Sequence, residues 1–291
     1  MLRDNRLVPL LPSGSNHGHE GHERSPQPWR GVLLERHTMA PLEIPEHEHR
    51  ELCLHLQLTG DDRMQWWSGG RHGVENTFPG SIMLVPAGTR DRALWHGSSE
   101  RLILSLAPEL VDEIAAGSQV AAEFNAKWSL QDASLQRLLF EMGREASEGW
   151  PLGRLYADLT ATSLVSQLLR RHAADPVDFG PVRGGMPMPQ LRRAMEYMTD
   201  NLDRDLRLEE IAHEVGLSPF HFAHEFRALT NQTPYQYLLD QRMDRAKHLL
   251  KNQAWTVQEI ATMTGFRSPV NFVRAFRQRV GATPGAWRRY A

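Results

Sequence analysis

In the stretch GFRSPVNFVRAFRQRVGATP, residues 265–284, the side chains that could do chemistry are Arg267, Asn271, Arg274 and Arg277. Arginine offers a fork of donors that fits the O6/N7 edge of guanine, and asparagine fits the N6/N7 edge of adenine. On a helix, Asn271, Arg274 and Arg277 lie opposite Phe272 and Phe276, which suit a buried face. An earlier stretch, GLSPFHFAHEFRALTNQTP at residues 216–234, has the same order: Gly, a hydrophobic residue, Ser-Pro, two phenylalanines four apart, Arg, then Thr-Pro. There the outward side chains are Phe220, His221, His224 and Arg227. Arg227 and Arg277 each follow a core phenylalanine and suit phosphate better than a base edge.

A second group of reactive side chains lies nearer the N-terminus. ELCLHLQL alternates, with Leu52, Leu54, Leu56 and Leu58 on one face and Cys53, His55 and Gln57 on the other. Extended back as one strand, His47, His49 and Glu51 join the polar face. Imidazole and thiolate can ligate metal or make hydrogen bonds. Trp66, Trp67 and Trp95 could add flat walls to a pocket, or fill a core.

These residues need elements to hold them. Leu208, Ile211, Ala212 and Val215 form one apolar helix face, which Gly216 ends; Ser218 caps and Pro219 begins the next helix. Val257, Ile260, Ala261 and Thr264, then Gly265 and Ser268-Pro269, repeat the plan. The spacing predicts two helix-turn-helix units, 208–228 and 257–279. The offset between copies is 49 residues at Gly216/Gly265 and 50 at Ser218/Ser268, so the second turn is one residue longer. Tyr235 to Lys251 reads as a connecting helix of roughly 25 Å at 1.5 Å per residue.

The remainder divides by composition. Residues 1–28 are rich in Gly, Ser, Pro and His and read as a tail, whose His17, His19 and His22 define no site. Residues 29–172 read as strands followed by helices around 134–172, where Leu155, Leu159, Leu164 and Leu168 recur at helical spacing. That stripe either seals the first domain or forms a seam with a second copy. Residues 173–188 hold the Pro and Gly of a linker, and 189–291 are helical throughout. The fold class is therefore α+β, a small sheet or barrel linked to an all-α domain.

The 291 residues carry a net charge of −2, unevenly spread. From Met186 onward 15 Lys+Arg stand against 11 Asp+Glu, and after Glu259 there are six arginines and no acid. This favours a polyanionic partner for the C-terminal half. One cysteine, Cys53, excludes an intramolecular disulfide, and no run reaches the length of a membrane span. A cytoplasmic protein is expected.

IATMTGFRSPVNFVRAFRQRVGATPGAWRR resembles the signature of the AraC/XylS family of transcription regulators, with Gly281, Thr283, Pro284, Trp287 and Arg288 in its closing positions. Thr264 stands where that family usually has Asp, and Pro269 and Val270 replace residues that are more polar there. The resemblance implies a C-terminal domain that binds double-stranded promoter DNA and an N-terminal cupin-like barrel that binds a small-molecule effector. It also implies a homodimer, and RNA polymerase as partner if the protein is an activator. PGSIMLVPAGTRD fits the second cupin motif at Gly80, Pro86 and Gly88, with Asp91 in place of His. PEHEHRELC fits the first at His47 and His49, with Cys53 in place of Glu. Two of four ligand positions are changed, so no metal and no cofactor are expected; effector contacts are expected from His47, His49, Cys53, His55, Trp66, Asp91 and Trp95. Two other readings are a cupin-type metal-dependent enzyme with an accessory helical domain and a DNA-binding regulator that needs no effector. No catalytic residues are expected.

Overall fold

A computed structural model describes residues 31–116, 122–175 and 185–290. The expected tail 1–28, with its three histidines, and residues 176–184 of the expected linker lie outside the described residues. The chain divides into two compact units, Met1–Ser147 with Leu164–Asp178, and Glu148–Ser163 with Phe179–Ala291.

In the first unit β1 (Val32–Met39), β2 (Leu42–Glu48), β3 (Leu52–Thr59), β4 (Asp62–Ser68) and β5 (Arg71–Thr77) are followed by β6 (Ile82–Val85), β7 (Arg90–Trp95) and β8 (Ser99–Leu106). Then come α1 (Pro108–Ala116), β9 (Lys127–Leu130), α2 (Ala133–Ser147) and α3 (Gly153–His172). The described strands form two antiparallel sheets, ordered β1-β8-β3-β6-β9 and β2-β7-β4-β5. No ladder closes the two into one ring among the described residues. They face each other instead, with Cys53, Met83, Val85 and Trp128 of one packed against Met64, Ala93 and Trp95 of the other.

Register assigns the faces. Cys53, His55 and Gln57 pair with Ser105, Ile103 and Arg101, so these six share the side of the first sheet that looks at the second. Leu54, Leu56, Leu102, Leu104 and Leu106 occupy the other side and are buried. Helix α2 packs on β1 and β8 and buries Leu135, Leu139 and Met142. The alternation in β3 thus separates two environments, one apolar and one polar-lined.

The second unit contains α4 (Met188–Asp200), α5 (Leu208–Glu214), α6 (Pro219–Thr230), α7 (Pro234–Leu250), α8 (Val257–Met263), α9 (Pro269–Val280) and α10 (Pro284–Tyr290). Both helix-turn-helix units form, as α5–α6 and α8–α9. Gly216 and Gly265 take φ 69° and 76°, the left-handed turn their positions demand. Ser218 accepts the His221 N–H at 3.3 Å, and Ser268 accepts the Val270 N–H at 3.2 Å. Two cores result. Phe222 and Phe226 pack with Ile211, Ala212 and Leu238, whereas Phe272 and Phe276 pack with Ile260, Ala261, Leu239, Met243 and Leu250. Helix α7 contributes to both and is the connecting strut that the sequence predicts.

The leucine stripe of α3 seals one domain only in part. Leu164 and Leu168 are buried and belong to the first unit, but Leu155 and Leu159 pack into the core of α4–α6 in the second. The division between units falls within this helix, after Ser163.

Candidate nucleic-acid interface and inter-sheet pocket

Helices α6 and α9 position most of the expected recognition residues outward. Arg227, Arg274 and Arg277 are exposed, as is Arg267 in the second turn, while His221, His224 and Asn271 are half-buried. Phe220 is a correction: it is 8% exposed and stacks on His224 with 6.3 Å between ring centroids. A helical wheel drawn on α6 alone assigns Phe220 to the outer face, but a side chain that apolar withdraws wherever cover exists.

The arginines differ in their partners. Arg274 forms an ion pair with Glu148 at 2.7 Å, and Arg267 pairs with Asp205, which also accepts the Arg154 N–H at 2.9 Å. Arg279 lies 3.1 Å from Asp240, and Arg288 donates to the Trp255 carbonyl. No acidic partner engages Arg227 or Arg277 among the described residues, which leaves both available to phosphate. Val270, which the sequence reading did not count, is 75% exposed at the first turn of α9. A branched apolar side chain there suits the methyl group of thymine; the signal that could have found it is its place next to the cap Ser268.

Around the turns, Thr264 is fully buried and its hydroxyl donates to the Ile260 carbonyl at 2.7 Å. It closes α8 by bonding back into its own last turn, so the departure from Asp alters only the local cap. Buried Arg242 of α7 donates to the Leu202 and Arg204 carbonyls at 3.0 and 2.7 Å. This brace was not legible from periodicity, which treats Arg as a surface residue.

In the first unit, the expected effector residues fall into two groups. At one end His49 Nε2 lies 2.8 Å from Asp91 Oδ1, and His47 pairs with Asp91 across the β2–β7 ladder. The His47 and His49 rings are 4.6 Å apart, and ligand atoms of His47, His49 and Asp91 fall within 4.8 Å of one another. The donor set suits a divalent cation. Burial lowers the affinity of His49 for its proton, but hydrogen bonds to Asp91 and Cys53 outweigh it and raise the pKa to about 9. At neutral pH the imidazolium is therefore favoured without a metal, and a cation binding there would have to displace that proton.

Deeper between the sheets lie His55, Trp66 and Trp95. Trp66 stacks on Trp128 at 4.8 Å and spreads over Gly73, where any Cβ would strike its ring. Burial and the nearby Arg101 charge hold His55 well below the usual imidazole range, so it is neutral. Arg101 lies 3.4 Å over the Trp95 ring and 3.6 Å from Asp62. Sequence reasoning missed Arg101 because RLILSLA reads as a plain buried strand; only the register with β3 turns its side chain inward.

No helix among the described residues is long and apolar enough to cross a membrane. Residues 192–290 match the family described as "Helix-turn-helix domain". The regulatory protein PocR of Salmonella typhimurium is 34% identical over 99 residues, covering 34% of this chain and 33% of that protein. The arabinose operon regulatory protein of the same organism is 32% identical over 149 residues, covering 50% of this chain and 51% of that protein. Thus the chain spans one third to one half of the length of these curated relatives. The DNA-binding domain of AdpA, solved in complex with a target DNA, is 33% identical over 35% of this chain and 91% of its own, with a TM-score of 0.34. The paired α5–α6 and α8–α9 units and their shared strut α7 all lie within residues 192–290, the segment that matches the helix-turn-helix domain family.

Proposed function

We propose that this protein is a one-component transcription regulator. Its domain 189–291 binds a specific site in double-stranded promoter DNA, and its domain 29–172, read as a cupin-like sensor, binds a small-molecule effector. The observation that carries the reading is the duplication: α6 and α9 each start at a Ser-Pro cap and each present an arginine, Arg227 and Arg277, without an acidic partner among the described residues. Base reading falls to Asn271, Arg274 and His221, with Val270 against a thymine methyl and Arg267 beside them. Such a protein works in the cytoplasm as a homodimer, with α2 and α3 as the dimerisation region, and as an activator it would touch RNA polymerase. The relatives matched are regulators by name, which supports this proposal over the metal-dependent enzyme reading. One equivalent of tightly bound metal in purified protein would reinstate that reading.

The test is selection of bound fragments from the source genome, followed by titration of a recovered fragment against its scrambled version. Tight binding to the first and at least tenfold weaker binding to the second supports the proposal; equal affinity sinks it.

A further inference from the structure

The chain holds 30 arginines but only three lysines, Lys127, Lys247 and Lys251. A guanidinium stays charged, so these three supply the side-chain amines that can lose a proton and act as nucleophiles. Lys247 faces Asp244 at 2.9 Å, and Lys251 is exposed at the end of α7. A carboxylate partner stabilises the ammonium and quiets the amine. Lys127, the one lysine of the first unit, is placed differently. On β9 its neighbour Trp128 turns into the core between the sheets, and alternation sends Lys127 to the opposite side, where α3 ends. There its Nζ lies 3.1 Å from Nδ1 of the buried His172, and His172 Nε2 lies 3.1 Å from Asp132 Oδ2. An ammonium only donates, so Nδ1 is the acceptor and Nε2 carries the proton that is donated to Asp132. Burial pushes the Asp132 carboxyl up, but the Leu135 and Ser134 N–H groups, His172 and Arg171 outweigh it and hold the acid below its usual range. Asp132 is therefore an anion that fixes the tautomer of His172. Amine, base and orienting carboxylate stand in the order of a nucleophilic triad.

We infer that Lys127 is an acylation site, whose Nζ attacks the carbonyl carbon of an acyl phosphate while His172 Nδ1 takes the amine proton. The inference is independent of the regulator reading. The ammonium first loses one proton to solvent. A C–N bond then forms, the C–O bond to phosphate breaks, inorganic phosphate leaves, and His172 passes its proton to solvent. Arg171 sets the class of donor: its guanidinium lies 3.4 Å from Asp132, beside His172, and its side chain is 57% exposed. Such a fork can hold the phosphate of the donor, an attraction that an uncharged acyl donor does not use. Lys127 is half-buried and its neighbours Asn125 and Ser129 are exposed, so the side chain is open to a compact donor. The product is a neutral amide, which removes the positive charge beside the last residue of α3.

The experiment incubates the full-length protein with acetyl phosphate, or with the uncharged thioester S-acetyl-N-acetylcysteamine, and follows acetylation at each lysine by peptide mass spectrometry. Lys247 and Lys251 serve as references within the same molecule. With acetyl phosphate, Lys127 is expected to react at least about tenfold faster than either, since a positioned general base contributes roughly 10²–10⁴-fold. His172→Gln keeps a side chain that can bond both neighbours but cannot take the proton, and is expected to bring Lys127 down to the reference rate. Arg171→Gln, at an exposed position, is expected to slow the acetyl phosphate reaction at Lys127 several-fold and to leave the thioester reaction unchanged. Each variant is assayed below its own Tm, so that loss of fold is not read as loss of the base. A Lys127 rate no higher than the references, an undiminished rate in His172→Gln, or an equal effect of Arg171→Gln on both donors overturns the proposal.

Discussion

Arg274 illustrates what a single side chain must do in this interface. To meet a base, as the proposed function requires, it would have to leave Glu148, and an exposed pair of this kind is worth about 0–1 kcal/mol. Arg274→Ala is therefore expected to cost about 1–3 kcal/mol at the cognate site and to relax one base position, read by fluorescence anisotropy on a set of single-base variants. Glu148→Gln removes the competitor and is expected to tighten binding, by at most about fivefold at that energy. Unchanged or weaker affinity in Glu148→Gln would show that the pair does not compete with DNA. The turn glycines make a second contrast. At Gly216 an added Cβ meets nothing within 4 Å, so Gly216→Ala suffers only the positive φ, about 1–2 kcal/mol. At Gly265 it collides with the Leu202 carbonyl and the Arg242 guanidinium, so Gly265→Ala is expected to lose about 2–5 kcal/mol in urea unfolding. Similar losses at the two sites would remove the steric argument. That both turns need Gly was legible in the repeated phrase. The crowding at one of them was not, since Leu202 and Arg242 come from distant segments.

At the scale of elements, the two copies cap their first helices differently. Thr256 and Glu259 form a capping box on α8, and both residues are local. Helix α5 has no side-chain cap from its own N-cap, Arg207; instead Asp158 of α3 accepts the Leu208 N–H at 3.1 Å. Burial pushes Asp158 up to about 6, against the pull of that N–H and of Arg207. Its folded pKa lies above the unfolded value, so the folded state holds the extra proton between about pH 4 and 6. This group's contribution is thus most favourable below about pH 4 and is lost as pH rises through 6, up to roughly 3 kcal/mol at about 1.4 kcal/mol per pKa unit. Asn keeps an acceptor for Leu208 but cannot ionise. The Tm of Asp158→Asn minus that of the parent should therefore grow from pH 4 to pH 7, whatever other carboxylates do to both proteins. A constant difference would show that Asp158 does not feel its burial. The helices, strut and strand alternation were legible because each is a local pattern of period 3.6 or 2. The borrowed cap was not, nor the division of the α3 stripe between two cores, because a continuous row of leucines does not say what each one meets.

Over the whole molecule, charge is distributed so that the C-terminal region attracts a polyanion while the chain stays near neutral. Of the six arginines after Glu259, Arg267, Arg274 and Arg279 have acidic partners and Arg288 is spent on a carbonyl. Arg277 and Arg289, with Arg227 in the first copy, have no partner among the described residues and already face solvent. A phosphate contact by such a side chain releases condensed counterions, and each contact contributes about 0.9 to the slope of log K against log salt. Arg227→Ala and Arg277→Ala should each lower that slope by about one, and should weaken cognate and scrambled DNA alike. Arg279→Ala, whose charge Asp240 already offsets, should change it less. The measurement is a salt titration of binding from roughly 50 to 200 mM, the range over which phosphate contacts are most plainly seen. If Arg279→Ala lowered the slope as much as Arg277→Ala, intramolecular pairing would not select the phosphate contacts, and net charge alone would account for the attraction.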